Sequence, residues 1–161
     1  MGKSQKPIIE NIYAREILDS RGFPTVEVEV TASGYTGVSA VPSGASTGEF
    51  EALELRDNDS KRFDGKGVKK AVYNIINHFA PSLIGKDASN QQLIDDILLN
   101  CDGTSNKSKY GANASLGISM ASAVASAAFF NKPLYMHLNS SSKLMPVPMI
   151  NVLNGGMHAD K

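Results

Sequence analysis

The sequence predicts an α+β fold, in which a three-stranded antiparallel meander is followed by a helical bundle. Strand-like patterns fill the first forty residues, helical periodicity dominates from about residue 65 to residue 138, and the turns between the strands are short. The chain has 161 residues, of which 42% are hydrophobic and 20% are charged, as is typical of a globular protein that buries a core. Short turns favour antiparallel pairing, so one face of the meander is expected to pack on the helices.

The three strands are predicted from their residue patterns and from the turns between them. Ile8 to Leu18 mixes β-branched and other apolar residues and is followed by a turn at Asp19 to Gly22. Thr25 to Thr31 alternates strictly between valine and polar residues, which is the period of a half-buried strand. Ser33-Gly34 predicts the next turn, and Tyr35 to Val41 predicts the third strand.

The helices are predicted from apolar residues spaced three and four positions apart. The first begins after Gly67 and is expected to end at Pro81. The second is expected to begin with a capping box at Ser89 to Gln92 and to close at Gly103. Asn113 to Phe130 is rich in Ala, Ser and Gly; its serines favour a buried core helix over a membrane span.

A polar linker separates two predicted parts of the chain. A last helical turn at Leu134 to Leu138 is followed by Asn139 to Ser142, where we place a domain boundary. The first domain is then 1–139, and 140–161 forms the linker and an apolar strand at Leu144 to Leu153.

Charge and cysteine content exclude several classes of protein. Sixteen basic residues balance sixteen acidic ones, so the chain lacks the bulk charge typical of proteins that bind nucleic acid or anionic membranes. The single Cys101 excludes an internal disulfide and a multi-cysteine metal site, and it fits a reducing compartment. Met1 to Lys6 is polar and does not resemble a signal peptide.

Two segments could carry chemistry. The small-residue loop from Ser43 to Gly48 offers backbone N–H groups and hydroxyls to a phosphate or a hard cation, although it lacks the Gly-Lys-Ser/Thr ending of a P-loop. A flexible loop in solvent is the alternative. Asn154 to His158 has two glycines that would present the histidine as a phosphate partner, general acid or metal ligand; the alternative is a surface histidine in a turn. His78 and His137 are interpreted as structural.

Six motifs, in the same order along nearly the whole chain, resemble enolase: Tyr13 to Gly22, Pro24 to Val30, Val41 to Gly48, Glu51 to Asp57, Gly111 to Met120, and Pro148 to Gly156 with His158-Ala159. The resemblance implies an N-terminal cap domain, followed by the first strand of a TIM-like barrel. It also implies a lyase (phosphopyruvate hydratase) of glycolysis that reversibly dehydrates 2-phosphoglycerate to phosphoenolpyruvate with Mg²⁺, two ions per active site.

The resemblance further implies roles for single residues. Ser46 would be a ligand of the second Mg²⁺, Ala45 would lie beside the substrate, and His158 would approach the substrate phosphate as a catalytic residue. Arg15 and Glu27 match positions that form ion pairs across the dimer interface of the family. The loop that closes over the substrate would consist of Ser43, Gly44, Ala45, Ser46, Thr47 and Gly48.

The sequence also departs from the family pattern. Phe23 stands where the family usually has Asn, and Phe50 where many relatives have a polar residue. The lysine base, most Mg²⁺ ligands and the glutamate that works with water would lie beyond Lys161, so we expect this piece alone to be inactive. We expect a cytoplasmic homodimer or higher homo-oligomer, without nucleic acid or membrane binding. A non-catalytic cap module that binds or dimerises with full-length enolase is the alternative, and a generic phosphate-binding domain is a weaker one.

Overall fold

The computed structural model of the chain describes residues 6–44, 47–141 and 143–153, and it confirms the predicted α+β fold. The strands are β1 (Ile9–Leu18), β2 (Pro24–Ala32) and β3 (Tyr35–Ala40). The helices are α1 (Lys69–Asn74), α2 (Ala80–Leu83), α3 (Gln91–Asp102), α4 (Ala112–Phe129) and α5 (Leu134–Leu138). A 3₁₀ turn at Phe63–Gly65 precedes α1, and a π-helical turn at Ile75–Phe79 joins α1 to α2.

The sheet is an antiparallel meander in the order β1-β2-β3. Val26, Val28 and Val30 of β2 are fully buried, as the alternation of the sequence predicts. The hairpin between β2 and β3 turns at Ser33 and Gly34, whose φ angles are 47° and 81°. Positive φ at both central residues is the geometry that matches the twist of a tight hairpin. The strand pattern and the turn chemistry therefore specify the same register.

The predicted central helix is confirmed as α4, which lies across β2 and β3. A Cβ atom on Gly37 of β3 would lie 2.2 Å from the backbone nitrogen of Ala125, so only glycine permits this approach. By length and hydropathy α4 could span a membrane, but 61% of it is buried inside the protein. Burial against the sheet fits the expected core helix.

Two details of the helices differ from the sequence prediction. The helix after Gly67 does not end at Pro81, because α2 continues to Leu83 with the proline in its first turn. A proline is tolerated in a first turn, where its missing N–H loses little, and the preceding π-helical turn changes the backbone spacing there. The cap of α3 is Asn90, whose Oδ1 accepts a hydrogen bond from the backbone N–H of Leu93 at 3.2 Å.

The predicted capping box at Ser89 to Gln92 is therefore wrong. The Ser89 hydroxyl donates to Asp87 Oδ1 at 2.6 Å, and Gln92 Nε2 donates to Asp96 Oδ1 at 2.9 Å, so neither side chain is used as a cap. The helix does close at Gly103 as predicted, with φ at 71°.

Residues 143–153 carry no regular secondary structure, and their apolar side chains are almost fully exposed; Met149 is 98% exposed. A strand forms only where another strand accepts and donates its backbone hydrogen bonds. The predicted barrel strand and the domain boundary at Asn139 therefore stay predictions.

Candidate functional site

The small-residue loop leaves the sheet just after β3 and leads into the segment 49–62. The structure describes Ser43 and Gly44 at its first end and Thr47 and Gly48 at its second end. Ala45, Ser46 and His158 lie outside the described residues, so their expected roles beside the substrate, on Mg²⁺ and in catalysis stay predictions.

The first end of the loop is tied down through the side chain of Ser43. Its hydroxyl oxygen lies 2.9 Å from Nη2 of Arg56, which donates to it, and 3.2 Å from Oε2 of Glu54, to which it donates. Both its donor and its acceptor capacity are therefore engaged by the segment that follows the loop.

Arg56 holds three separate parts of the chain together at this point. Its Nη1 donates to the backbone carbonyls of Pro24 at 2.6 Å and Lys66 at 2.7 Å. Its Nη2 donates to Ser43 and to Glu54 Oε1, the latter at 2.7 Å. The Arg56 side chain is only 19% exposed. A planar guanidinium with several donors in a fixed arrangement suits such a junction, which a lysine could not reproduce.

A second arginine holds the same end of the loop through the backbone. Arg21 Nη2 donates to the carbonyl of Ser43 at 2.9 Å and approaches that of Gly44 at 3.5 Å. The same group pairs with Asp19 at 3.2 Å. The backbone N–H of Phe23, aided by the N–H and guanidinium of Arg21, lowers the pKa of Asp19. The β1–β2 turn thus presents a fixed cation to the loop.

Among the described residues, the second end of the loop is held by a local contact alone. The backbone N–H of Gly48 donates to Glu51 Oε2 at 2.9 Å, and the N–H of Glu51 donates back to the Gly48 carbonyl at 3.2 Å. Thr47 is exposed, and Phe50 is 95% exposed. The first end is therefore anchored to the domain by two arginines, whereas the described part of the second end is in solvent.

The segment that follows the loop is fixed on the N-terminus of α4. Asn113 Oδ1 accepts from the backbone N–H of Leu55 at 3.1 Å, and its Nδ2 donates to the Leu55 carbonyl at 3.0 Å. The Leu53 carbonyl accepts from the backbone N–H of Ala112 at 2.8 Å. The pattern of Glu49 to Arg56 fits either a short helix or a turn; a turn forms at 49–50, and no helix follows within this described stretch.

A further ion network lies behind the loop, between β1 and the start of α1. Arg62 forms a bidentate pair with Glu16, and Glu16 Oε2 also accepts the backbone N–H of Val68 at 2.9 Å. The hydrogen bond from Arg62 is the main cause that lowers the pKa of Glu16, against a smaller rise from burial. Asp57 accepts the backbone N–H groups of Lys69 and Lys70 at 2.9 and 2.8 Å, and so caps α1 from a distance.

The mix of acidic and basic residues from Glu51 to Arg62 would by itself be interpreted as solvated surface, and for its central members that interpretation is wrong. Glu54, Arg56, Asp57 and Arg62 are partly buried and paired. The sequence offers one signal of this pairing: Glu54 and Arg56 carry opposite charges two residues apart, close to the small-residue loop. Most of their partners lie ten to forty-six positions away, at spacings that local periodicity does not report.

The two residues expected at a dimer interface pair with each other in one chain. Arg15 Nη2 lies 2.5 Å from Glu27 Oε1, and Arg15 Nη1 lies 3.6 Å from Glu29 Oε2. They are neighbours across β1 and β2, on the face opposite the core. Their role between two copies stays a prediction.

The described residues contain no group of three or more His, Cys, Asp or Glu side chains placed to hold a metal ion. Hydroxyl oxygens are hard donors of the kind that Mg²⁺ takes, but that of Ser43 is already engaged by Arg56 and Glu54. His78 stacks on Tyr110 at 4.6 Å and His137 on Phe130 at 5.9 Å, as structural residues would.

Comparison with protein families agrees with the motifs and with the fold. The family described as enolase, N-terminal domain, matches residues 9–138. The match runs from the start of β1 to the end of α5 and covers most of the chain. This chain belongs to the enolase N-terminal domain family, which places it with the enolase lyases.

Proposed function

We propose that this chain is the cap part of an enolase, which dehydrates 2-phosphoglycerate to phosphoenolpyruvate with Mg²⁺. In this proposal the cap supplies the loop Ser43 to Gly48, which closes over the substrate, while the base and most metal ligands come from a barrel. The proposal includes a cytoplasmic homodimer, with Arg15 and Glu27 at its interface.

One observation carries the proposal, namely the unequal anchoring of the loop. Ser43 is held by Arg56 through its side chain and by Arg21 through its carbonyl, whereas Thr47 is exposed. A loop that is anchored firmly at one end can move its other end toward a ligand, because the anchored end fixes the direction in which the loop leaves the sheet. Such positioning brings reacting groups together, which is a large part of catalysis in closed sites.

The chemistry assigned to this chain is binding and orientation. The backbone N–H groups and hydroxyls of the loop would face an anionic substrate, and Ser46 would be one oxygen ligand of a metal ion. When bound, Mg²⁺ would supply a hard positive charge beside the substrate phosphate. His158 would donate to the same region, and proton abstraction is assigned to groups outside this chain.

The isolated chain is expected to be inactive, and this is tested by following phosphoenolpyruvate formation by ultraviolet absorbance. The purified chain is assayed with 2-phosphoglycerate and Mg²⁺, beside its Ser46→Ala variant. Turnover that is equal in both proteins would come from a contaminating host enzyme. If the chain converts 2-phosphoglycerate and Ser46→Ala abolishes this turnover, the expectation of inactivity is refuted.

A chimaera tests the positive side of the proposal. Residues 1–139 of this chain replace the cap domain of an enolase of known activity. We expect measurable turnover, and a loss of about 10- to 100-fold on Ser46→Ala, which is typical for removal of a group that supports a metal site. Ser60→Ala, in an exposed turn, is the matched control and should leave the rate unchanged. A folded chimaera without turnover would contradict the assignment and would favour a non-catalytic cap module.

A further inference from the structure

A cavity lies away from the loop, between α1, the segment at Leu55 and the chain just before α4. Its volume is about 520 Å³. It shares no lining residue with the loop from Ser43 to Gly48. The lining residues are Leu55, Lys69, Lys70, Tyr73, Asn74 and Lys109.

Three lysines bring positive charge to this cavity. In the part of the chain that the structure describes, neither Lys69, Lys70 nor Lys109 forms an ion pair. Lys70 Nζ donates to the carbonyl of Asp57 at 2.9 Å, and Lys109 Nζ lies 3.5 Å from the carbonyl of Cys101. A carbonyl oxygen bears no net charge, so these contacts position the ammonium groups without neutralising them.

The nearby carboxylates are occupied by other donors. Asp57 accepts the backbone N–H groups of Lys69 and Lys70 and lies 4.0 Å from Arg62. Asp102 is buried and accepts from the backbone N–H of Tyr110 at 2.7 Å and from the Thr104 hydroxyl. Neither carboxylate lines the cavity, and the charged side chains that do are the three lysines, so its wall is positive, which favours an anionic ligand.

An aromatic wall stands beside the lysines. Tyr73 is 59% exposed, and its ring packs edge-on against His78 at 5.8 Å. His78 in turn stacks on Tyr110 at 4.6 Å, and Asn74 Nδ2 donates to the Tyr110 carbonyl at 3.1 Å. The inner rings fix the orientation of Tyr73, so its exposed surface is available to a planar group.

Helical spacing explains why these groups meet. Lys69 and Tyr73 are four residues apart on the continuous helical stretch that begins with α1, and so are Lys70 and Asn74. Residues four apart lie on one side of a helix. Lys109 reaches the same place from the chain before α4, where its ammonium lies 4.6 Å from the Tyr110 ring centre.

We propose that this cavity binds a nucleoside phosphate, with the phosphates at Lys69, Lys70 and Lys109 and the base against Tyr73. Ammonium groups bind phosphate through charge-assisted hydrogen bonds, and a tyrosine ring stacks on any base. The cavity is open to solvent, and its volume of about 520 Å³ falls in the range of small-molecule sites. The proposal does not depend on the enolase reaction.

Calorimetric titration of the 161-residue chain with ADP, without Mg²⁺ and at physiological salt, tests the site. Lys69→Ala, Lys70→Ala and Lys109→Ala combined should weaken ADP binding at least about tenfold, because several charged hydrogen bonds are lost. The matched control combines Lys61→Ala, Lys86→Ala and Lys132→Ala, which remove the same charge from exposed positions elsewhere. The control should change the affinity less than about twofold, because none of these three lysines lines the cavity.

The aromatic part of the proposal is tested separately. Tyr73→Ala should weaken ADP binding about fivefold, whereas Tyr73→Phe, which keeps the ring, should not weaken it. ADP should also bind more tightly than tripolyphosphate, which carries charge but no base. The proposal is overturned by absence of ADP binding, by equal losses in the two lysine triples, or by tripolyphosphate binding as tightly as ADP.

Discussion

Arg56 should be coupled energetically to Ser43 at the base of the loop, and a double-mutant cycle measures this coupling. The cycle uses Ser43→Ala, Arg56→Met and their combination. Arg56→Met keeps an unbranched chain of similar length and removes the guanidinium, so packing changes little while all four hydrogen bonds are lost. Ser43→Ala removes only the hydroxyl.

The expected magnitudes follow from the contacts. Ser43→Ala loses the hydrogen bond from Arg56 at 2.9 Å in a partly buried place, which should cost about 1 kcal/mol, the typical net contribution of one hydrogen bond. Arg56→Met also leaves two backbone carbonyls and Glu54 without this donor, and should cost about 3 kcal/mol. The double variant should cost little more than Arg56→Met alone, so the coupling free energy should be about 1 kcal/mol.

Urea unfolding followed by circular dichroism gives the free energy of unfolding of each variant, provided that the m-value stays constant. Arg21 supplies the matched control, because it contacts the carbonyl of Ser43 and not the hydroxyl. Arg21→Met combined with Ser43→Ala should therefore be additive within about 0.5 kcal/mol. A coupling between Arg56 and Ser43 no larger than that of this control would refute the assignment of Arg56 as the anchor of the loop.

Two further predictions concern the domain that carries the loop. Gly37→Ala should lower the free energy of unfolding by about 3 kcal/mol, because the new methyl group would meet the backbone nitrogen of Ala125 at 2.2 Å. Gly117→Ala meets a side-chain methyl of Val28 at 2.6 Å rather than backbone, so it should cost less, about 2 kcal/mol, in the same urea assay; equal costs would contradict this reasoning. Glu16→Gln should reduce stability at neutral pH. The hydrogen bond from Arg62 lowers the pKa of Glu16 below its usual 4.5, so its contribution is complete above that value and is lost as the pH falls through the lowered pKa. The difference in free energy of unfolding between the unchanged protein and Glu16→Gln should therefore become smaller in acid. A difference that stays constant down to about pH 2 would contradict this role of Glu16.

The sheet and the central helix could be predicted from sequence because their signals are local. Thr25 to Thr31 alternates with the period of a strand, and Ser33-Gly34 has the residues that a tight hairpin needs. The small residues between Asn113 and Phe130 indicate close packing, which the approach of Gly37 to α4 confirms. Each pattern is contained within about twenty residues.

The sequence prediction is wrong where more than one local structure fits the same residues, or where the residue that a side chain contacts is distant in the sequence. Ser89 and Asn90 are both acceptable caps for α3, and Asp87 decides between them by accepting the Ser89 hydroxyl. Pro81 usually marks a helix end, but a π-helical turn before it lets the chain continue. Arg56 was missed because its partners at Pro24 and Ser43 become neighbours only after the sheet has formed.

The apolar stretch after the linker should make the chain associate with itself. Leu144, Val147 and Val152 are 90%, 86% and 91% exposed, and contiguous exposed apolar surface of this kind promotes edge pairing and aggregation. Deletion of residues 140–161 should leave the urea midpoint nearly unchanged, because the described part of this stretch, 140–141 and 143–153, is exposed. It should also convert a concentration-dependent sedimentation coefficient into a constant one.

A matched variant separates the apolar side chains from the length of the chain. Replacing Leu144, Val147, Ile150 and Val152 by serine keeps all 161 residues and should reduce association as much as the deletion does. If the serine variant associates like the unchanged chain while the deletion does not, backbone pairing is responsible. Unchanged sedimentation of the deletion would refute the association, and a large fall in its urea midpoint would place the domain boundary beyond Asn139.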